Sequence, residues 1–184
     1  TNEQTQTMGA ILQKMLDSLY AKNLEVVLIG LENSGKTTLL SVLASGSPME
    51  TVPTVGMEVK LVKKGGLNMK CWDIGGQAHY RSQWGRYTKG CDVIIFVVDA
   101  HARESISLAR HELNRLLEDP SLATMPILVC ANKVDLEPHL SESEIIRELN
   151  LDYIVDNPWV VVPISALKVQ NIDQVIEWLT RQGR

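Results

Sequence analysis

Four short, unbroken apolar runs constrain this chain more than any other feature: Val26–Ile29, Val93–Val98, Ile127–Cys130 and Val160–Ile164. Strands that are apolar on both faces belong in a sheet covered on both sides. Segments of helical spacing lie between them. Thr37–Ala44 reads as a helix, and Ile106–Leu117 offers Ile106, Leu108, Ala109, Leu113, Leu116 and Leu117 to a core. Glu142–Leu149 follows Ser141, whose hydroxyl suits an N-cap. Ile172–Leu179 turns Ile172, Val175, Ile176 and Leu179 inward. Two more strands, Met57–Lys64 and Leu67–Ile74, flank Gly65-Gly66, a hairpin signal. The expected fold is α/β: a six-stranded, mostly parallel sheet with one antiparallel strand and helices on both faces. A length of 184 residues suits one such domain.

Several classes of function are excluded at once. The longest apolar run is six residues, Val93–Val98, against the ~18 that a membrane-spanning helix needs. With 18 Lys+Arg and 22 Asp+Glu the formal net charge is −4, which gives no basic field for a nucleic-acid backbone. Cys71, Cys91 and Cys130 are odd in number and form no CxxC pair. They read as buried, inert thiols in a reducing compartment, not as a disulfide framework or zinc site. His79, His101, His111 and His139 show no metal-ligand spacing and read as surface or loop residues.

Four motifs carry chemistry. Gly30-Leu31-Glu32-Asn33-Ser34-Gly35-Lys36-Thr37 matches G-x-x-x-x-G-K-[ST], with a strand before it and a helix after it. In that pattern the backbone N–H groups of Glu32, Asn33, Ser34, Gly35, Lys36, Thr37 and Thr38 cradle phosphate oxygens, and the helix N-terminus adds partial positive charge. Lys36 reaches the β- and γ-phosphates, and the Thr37 hydroxyl ligates Mg²⁺. Asn132-Lys133-Val134-Asp135 follows the strand Ile127–Ala131. An Asp135 carboxylate can accept from guanine N1–H and N2–H₂, a pair that adenine lacks. The Lys133 stem can lie along the base plane, and Ser165-Ala166-Leu167 can add a backbone N–H for guanine O6. Trp72-Asp73-Ile74-Gly75-Gly76-Gln77 ends a strand: Asp73 is placed for the Mg²⁺ shell, Gly76 N–H for a γ-phosphate and Gln77 for an attacking water. In Pro53-Thr54-Val55-Gly56, Thr54 follows Thr37 by 17 positions, and its hydroxyl can close on Mg²⁺ and the γ-phosphate.

Together and in order, these motifs resemble the small GTPases, and within them the Arf and Arf-like branch rather than Ras or Rab. WDIGGQ, PTVG, LENSGKTT and an N-terminal amphipathic helix carry the likeness, which runs from Leu24 to Arg184. Ser41–Gly46, Arg81–Gly90 and Glu112–Leu122 are most similar to the lysosome-associated Arf-like subgroup. The resemblance implies GTP and GDP as ligands, Mg²⁺ as cofactor, and Lys36, Thr54, Gly76 and Gln77 in hydrolysis. It implies a monomer that meets an exchange factor, an activating protein and effectors through its switch loops. Membrane trafficking and protein transport, with cytoplasmic and peripheral membrane residence, follow from the same likeness. Met57, Trp72 and Tyr87 stand at the family's hydrophobic effector positions, although Met57-Glu58 replaces the usual Phe-Asn. Heterotrimeric G-protein α subunits carry an arginine near the switch threonine; here Thr51-Val52-Pro53 precede Thr54. Intrinsic hydrolysis is therefore expected on the order of 10⁻⁴–10⁻³ s⁻¹. In Arf-like proteins the hairpin Met57–Ile74 shifts register and evicts the N-terminal helix from a groove.

The N-terminal part is read as residues 1–22, with the GTP-binding domain at 23–184. Thr1–Thr7 is a polar leader with the natural start expected at Met8. Ile11, Leu12, Met15, Leu16, Leu19 and Tyr20 recur at helical spacing, so residues 9–22 can meet a membrane surface reversibly. Myristoylation of Gly9 wants Ser or Thr where Gln13 stands, so a free or acetylated terminus is expected. Two readings of the whole remain: a hydrolysing switch, or a GTP-locked adaptor that never hydrolyses. A P-loop ATPase or small-molecule kinase is disfavoured by Asp135.

Overall fold

The computed structural model describes residues 21–64 and 66–183. The polar leader, Gly9, the amphipathic helix and Gly65 lie outside the described residues. Strands β1 (Lys22–Ile29), β2 (Met57–Lys64), β3 (Leu67–Ile74), β4 (Val93–Asp99), β5 (Ile127–Asn132) and β6 (Trp159–Pro163) form one sheet in the order β2-β3-β1-β4-β5-β6. Only β2 with β3 is antiparallel. The longer helices are α1 (Lys36–Ser45), α4 (Arg103–Leu117), α5 (Glu142–Glu148) and α6 (Ile172–Gln182); α2 (Ala78–Arg81) and α3 (Trp84–Thr88) are single turns after β3. The expected α/β architecture is the observed one.

The alternation of each strand builds two cores. On one face Val26, Leu28, Met69 and Cys71 pack with Leu39 and Leu43 of α1 and Val175 and Leu179 of α6. On the other, Val27, Ile29, Ile94 and Phe96 pack with Trp84 of α3, Leu113 of α4 and Ile145 of α5. Burial of this much aliphatic surface supplies the main drive for folding. α4 buries Ile106, Ala109, Leu113 and Leu116, a clean i, i+3, i+7, i+10 stripe. Leu108 was expected in that core but is 42% exposed, because it lies two residues, or about 200°, round the helix from Ile106. α5 starts on a complete capping box: the Ser141 side chain accepts from Glu144 N–H, and Glu144 reaches back to Ser141 N–H.

Cys71 and Cys130 are buried, as expected. Cys91 is half-buried, and its thiol donates to Tyr87 O at 3.3 Å. Burial pushes the thiols of Cys71 and Cys91 up to about 12, which keeps both inert near neutrality. His79, His101 and His111 are exposed and His139 half-exposed. Among the described residues no helix is long and apolar enough to cross a membrane.

Candidate functional site

The site lies at the carboxyl ends of β1, β3, β4 and β5, where ligands bind in open parallel sheets. β1 runs out at Ile29 into Gly30–Gly35, and α1 begins at Lys36. Gly35 has φ 96°, and a Cβ there would overlap Asn132 Nδ2, so only glycine fits. Glu32 and Asn33 are exposed on the loop, Ser34 is buried, and Thr37 and Thr38 are half-buried at the helix start. Lys36 is buried, and its Nζ donates to Gly30 O at 3.1 Å and Leu31 O at 2.8 Å, which curls the loop round its head. Burial lowers its pKa to about 8, against the opposing pull of the Asp73 and Glu32 carboxylates.

Three oxygens converge beside Lys36. Thr37 Oγ1 donates to Asp73 Oδ2 at 2.6 Å and lies 2.9 Å from Thr54 Oγ1, which is 3.3 Å from the same carboxylate oxygen. Burial pushes the Asp73 carboxyl above its ordinary range, while Thr37, Lys36 and Thr54 pull it back. Asp73 Oδ1 and Ser34 Oγ are buried with no hydrogen-bond partner among the described residues. An all-oxygen set with an unsatisfied carboxylate oxygen is the donor chemistry of Mg²⁺, so the residues fit that ion. A cleft of about 390 Å³, lined by Lys36, Thr37, Thr54, Gly76 and Gln77, runs past these groups.

Gly76 is pressed onto the loop Gly30–Gly35. Its carbonyl accepts from Glu32 N–H at 3.1 Å, and a Cβ at Gly76 would overlap Leu31 and Glu32 backbone. Two side chains from α2 and α3 grip this segment: Arg81 Nε donates to Gly76 O at 2.9 Å and Trp84 Nε1 to Gly75 O at 3.2 Å. Arg81 in turn lies 3.8 Å from Glu112 of α4, which pairs with Arg115 at 2.8 Å. Sequence reasoning missed Arg81, Trp84 and Glu112. The readable signal was a Trp and an Arg close behind a Gly-Gly pair, and a lone acid within the apolar stripe of α4.

At the other end of the site Asn132 clasps two loops. Its Nδ2 donates to Ser34 O at 2.8 Å, and its Oδ1 accepts from Ala166 N–H at 2.9 Å. That bond engages the Ala166 N–H within the protein. Ser165 is buried and its Oγ accepts from Lys168 N–H at 3.0 Å, while Leu167 is exposed. Lys133 has φ 70°, and its Nζ meets Asp99 Oδ2 at 2.6 Å. Asp99 was not foreseen; it closes β4 directly beside Asn132 in the β4–β5 ladder. Asp135 is half-buried and makes no hydrogen bond or ion pair to any described residue.

The three expected effector residues are only partly gathered. Trp72 and Tyr87 are half-buried with ring centroids 6.5 Å apart, and both pack on the second core. Trp72 Nε1 donates to Glu25 Oε2 at 3.2 Å, and Lys70 Nζ sits 4.5 Å over its ring. Met57 pairs with Ile74 and Val59 with Trp72, so Met57, Val59 and Trp72 share one face of the sheet.

Comparison with known proteins agrees with this geometry. Residues 8–183 match the model of the ADP-ribosylation factor family. The chain is 40% identical over 175 residues to ADP-ribosylation factor-like protein 8c of Arabidopsis thaliana, covering 94% of this chain and 95% of that protein. The fold is similar to the Arl6 (BBS3) small GTPase of Trypanosoma brucei, solved with the nucleotide analogue GppNp. The TM-score is 0.80 at 28% identity, over 86% of this chain and 96% of that one. The chain belongs to the ADP-ribosylation factor family. It is a small GTPase of the Arf-like type, which binds guanine nucleotide and hydrolyses GTP.

Proposed function

We propose that the chain is a GTP-operated switch that hydrolyses GTP slowly and, in its GTP state, recruits effectors to an intracellular membrane. The convergence of Thr37, Thr54 and Asp73 oxygens beside buried Lys36 carries the reading. In it the Thr37 and Thr54 hydroxyls would hold Mg²⁺ directly and Asp73 would hold it through water. Bound Mg²⁺ neutralises charge on the phosphate oxygens. The backbone from Glu32 to Thr38 cradles the phosphates, and Lys36 bridges to the γ-phosphate. Thr54 and Gly76 N–H hold that phosphate in place. Gln77, which lines the cleft, orients the attacking water. Asp135 reads guanine N1–H and N2–H₂, and its lack of a partner among the described residues supports the role. The Lys133 stem covers the base, and Asn132 with Ser165, Ala166 and Leu167 shapes the pocket for guanine O6.

No arginine stands between Thr51 and Thr54, so turnover waits for an activating protein. The γ-phosphate contacts of Thr54 and Gly76 order both loops in one nucleotide state only, which is the differential binding a switch needs. An exchange factor resets it. Effectors meet the face of Met57, Trp72 and Tyr87. Residues 9–22 touch the membrane reversibly, and lysosome or late endosome is the organelle read from the subgroup segments.

Single-turnover hydrolysis of GTP, with and without Gln77→Leu, tests the enzyme. A fall of at least about tenfold is expected; an unchanged rate would favour the GTP-locked adaptor. Vesicle co-sedimentation with a GTP analogue and with GDP tests the switch, and equal binding in both states sinks it.

A further inference from the structure

We propose that Trp84 is a positioning residue for the γ-phosphate: its indole N–H fixes the Gly75–Gly76 peptide so that Gly76 N–H faces the nucleotide cleft. The proposal rests on the reading of Gly76 as a γ-phosphate ligand. In a trans peptide the C=O and the following N–H point in opposite directions. The Gly75–Gly76 bond is trans, since the one cis bond among the described residues is Glu137-Pro138. Trp84 Nε1 takes Gly75 O at 3.2 Å on the core side. Gly76 N–H is thereby turned away from the core and toward the cleft that Gly76 lines with Lys36 and Thr54.

The donor is anchored to the same strands that carry the phosphate-binding loop. Trp84 is 1% exposed and packs edge-on to Phe96, with centroids 6.4 Å apart and planes at 80°. Phe96 pairs with Ile29, the last residue of β1 before Gly30. The indole, Phe96, Ile29 and the loop thus form one rigid frame, and the distance from donor to phosphate cradle is set by strand pairing. The segment it controls has little stiffness of its own. With glycine on both sides, the peptide can rotate through ψ of Gly75 and φ of Gly76 without meeting a Cβ. A flexible pair of residues held by one buried donor is a device for selecting a peptide orientation. Arg81 and Glu32 N–H on Gly76 O, and Gly56 O on Gly75 N–H, hold the two flanking peptides; among the described residues Trp84 makes the one hydrogen bond to the Gly75–Gly76 peptide itself.

The test separates loss of the N–H from loss of the ring. A tryptophan analogue with sulfur in place of the ring N–H is placed at position 84 of the full chain. Trp84→Phe is made beside it, and dissociation constants are measured for GDP and for GppNp. The isostere keeps the shape of the core, so it folds where the Phe variant fails. GppNp affinity is expected to fall about three- to tenfold relative to GDP affinity. A parallel change in both affinities, or no change, overturns the proposal. Gly76→Ala is the reference: if it moves the GppNp-to-GDP ratio and the isostere does not, Trp84 alone is misread. If Gly76→Ala leaves the ratio unmoved, the γ-phosphate reading fails and the proposal fails with it.

Discussion

Asp99 offers the sharpest test of the guanine end of the site. Its Oδ1 accepts from His101 N–H at 3.0 Å and Ala102 N–H at 3.2 Å, and its Oδ2 meets Lys133 Nζ at 2.6 Å. Asp99→Asn keeps an oxygen for the two N–H groups and turns an NH₂ toward the ammonium. The Asp99 and Lys133 side chains are 12% and 23% exposed. Breaking a fully buried pair costs about 3–5 kcal/mol and an exposed one about 0–1, so this pair stands at about 1–2 kcal/mol, a factor of roughly 5–30. If the Lys133 stem covers the base, that factor appears in nucleotide release, equally for GDP and GppNp, because both carry guanine. Stopped-flow release of fluorescent GDP and GppNp measures it. In a Lys133→Met background the same Asp99 substitution should change release by less than about twofold, which isolates the pair. Unchanged release would refute the reasoning. So would acceleration of GppNp alone, or an equal effect with Lys133 already removed.

Lys36 predicts a pH dependence. Burial lowers its pKa from 10.5 to about 8, and a phosphate bound beside it should restore the charge. Between about pH 8 and 10, nucleotide binding should therefore take up a proton and weaken as pH rises. Stability of the empty protein should rise over the same window, because the unfolded lysine still holds its proton there. Calorimetry at pH 9 in buffers of different ionisation heat records the uptake. Chelating Mg²⁺ should speed release of GDP and GppNp, and Thr37→Ala should abolish that sensitivity in the same release assay. Ser141→Ala removes the N-cap of α5 and should cost about 1 kcal/mol in urea unfolding while leaving nucleotide release unchanged.

The strands were legible because Val26–Ile29, Val93–Val98 and Ile127–Cys130 are buried throughout, and Met57–Lys64 and Leu67–Ile74 hold at both ends; the edge strand β6 instead runs Trp159–Pro163, leaves Ile164 outside and is half-buried at Trp159, Val160 and Pro163. β1 begins at Lys22, four residues before the expected Val26 and one before the expected domain boundary. Lys22, Asn23 and Glu25 carry no apolar signal, and this half of the strand is held by its ladder to β3. α2 and α3, of four and five residues, are too short to show a period. That Gly30–Thr37, Thr54 and Asp73 meet was readable because the motifs that carry them are short and stand at the ends of legible strands. Asp99, Arg81, Trp84 and Glu112 act across 5 to 34 positions of sequence on partners that only the folded sheet brings near. A Trp and an Arg behind Gly75-Gly76 and an acid within the apolar stripe of α4 are the one trace these residues leave in the sequence, and Asp99 leaves none.

The proposed switch has a mechanical consequence at Gly75. Its N–H donates to Gly56 O at 2.9 Å, two residues after Thr54 and one before Gly76. The next pair outward, Met57 with Ile74, is the first rung of the β2–β3 ladder. Both of the proposed γ-phosphate contacts would therefore bear on one end of the hairpin, and losing either would loosen the same rung. β2 is an edge strand whose one neighbour is β3, so the hairpin is attached to the sheet through β3 against β1. A slip there by one residue would turn Met69 and Cys71 out of the first core and Lys70 into it. A slip by two preserves both faces and moves the hairpin by about 6–7 Å. The sheet thus allows the hairpin discrete positions and no continuum, which is what the proposed switch needs for a single phosphate group to select between two states.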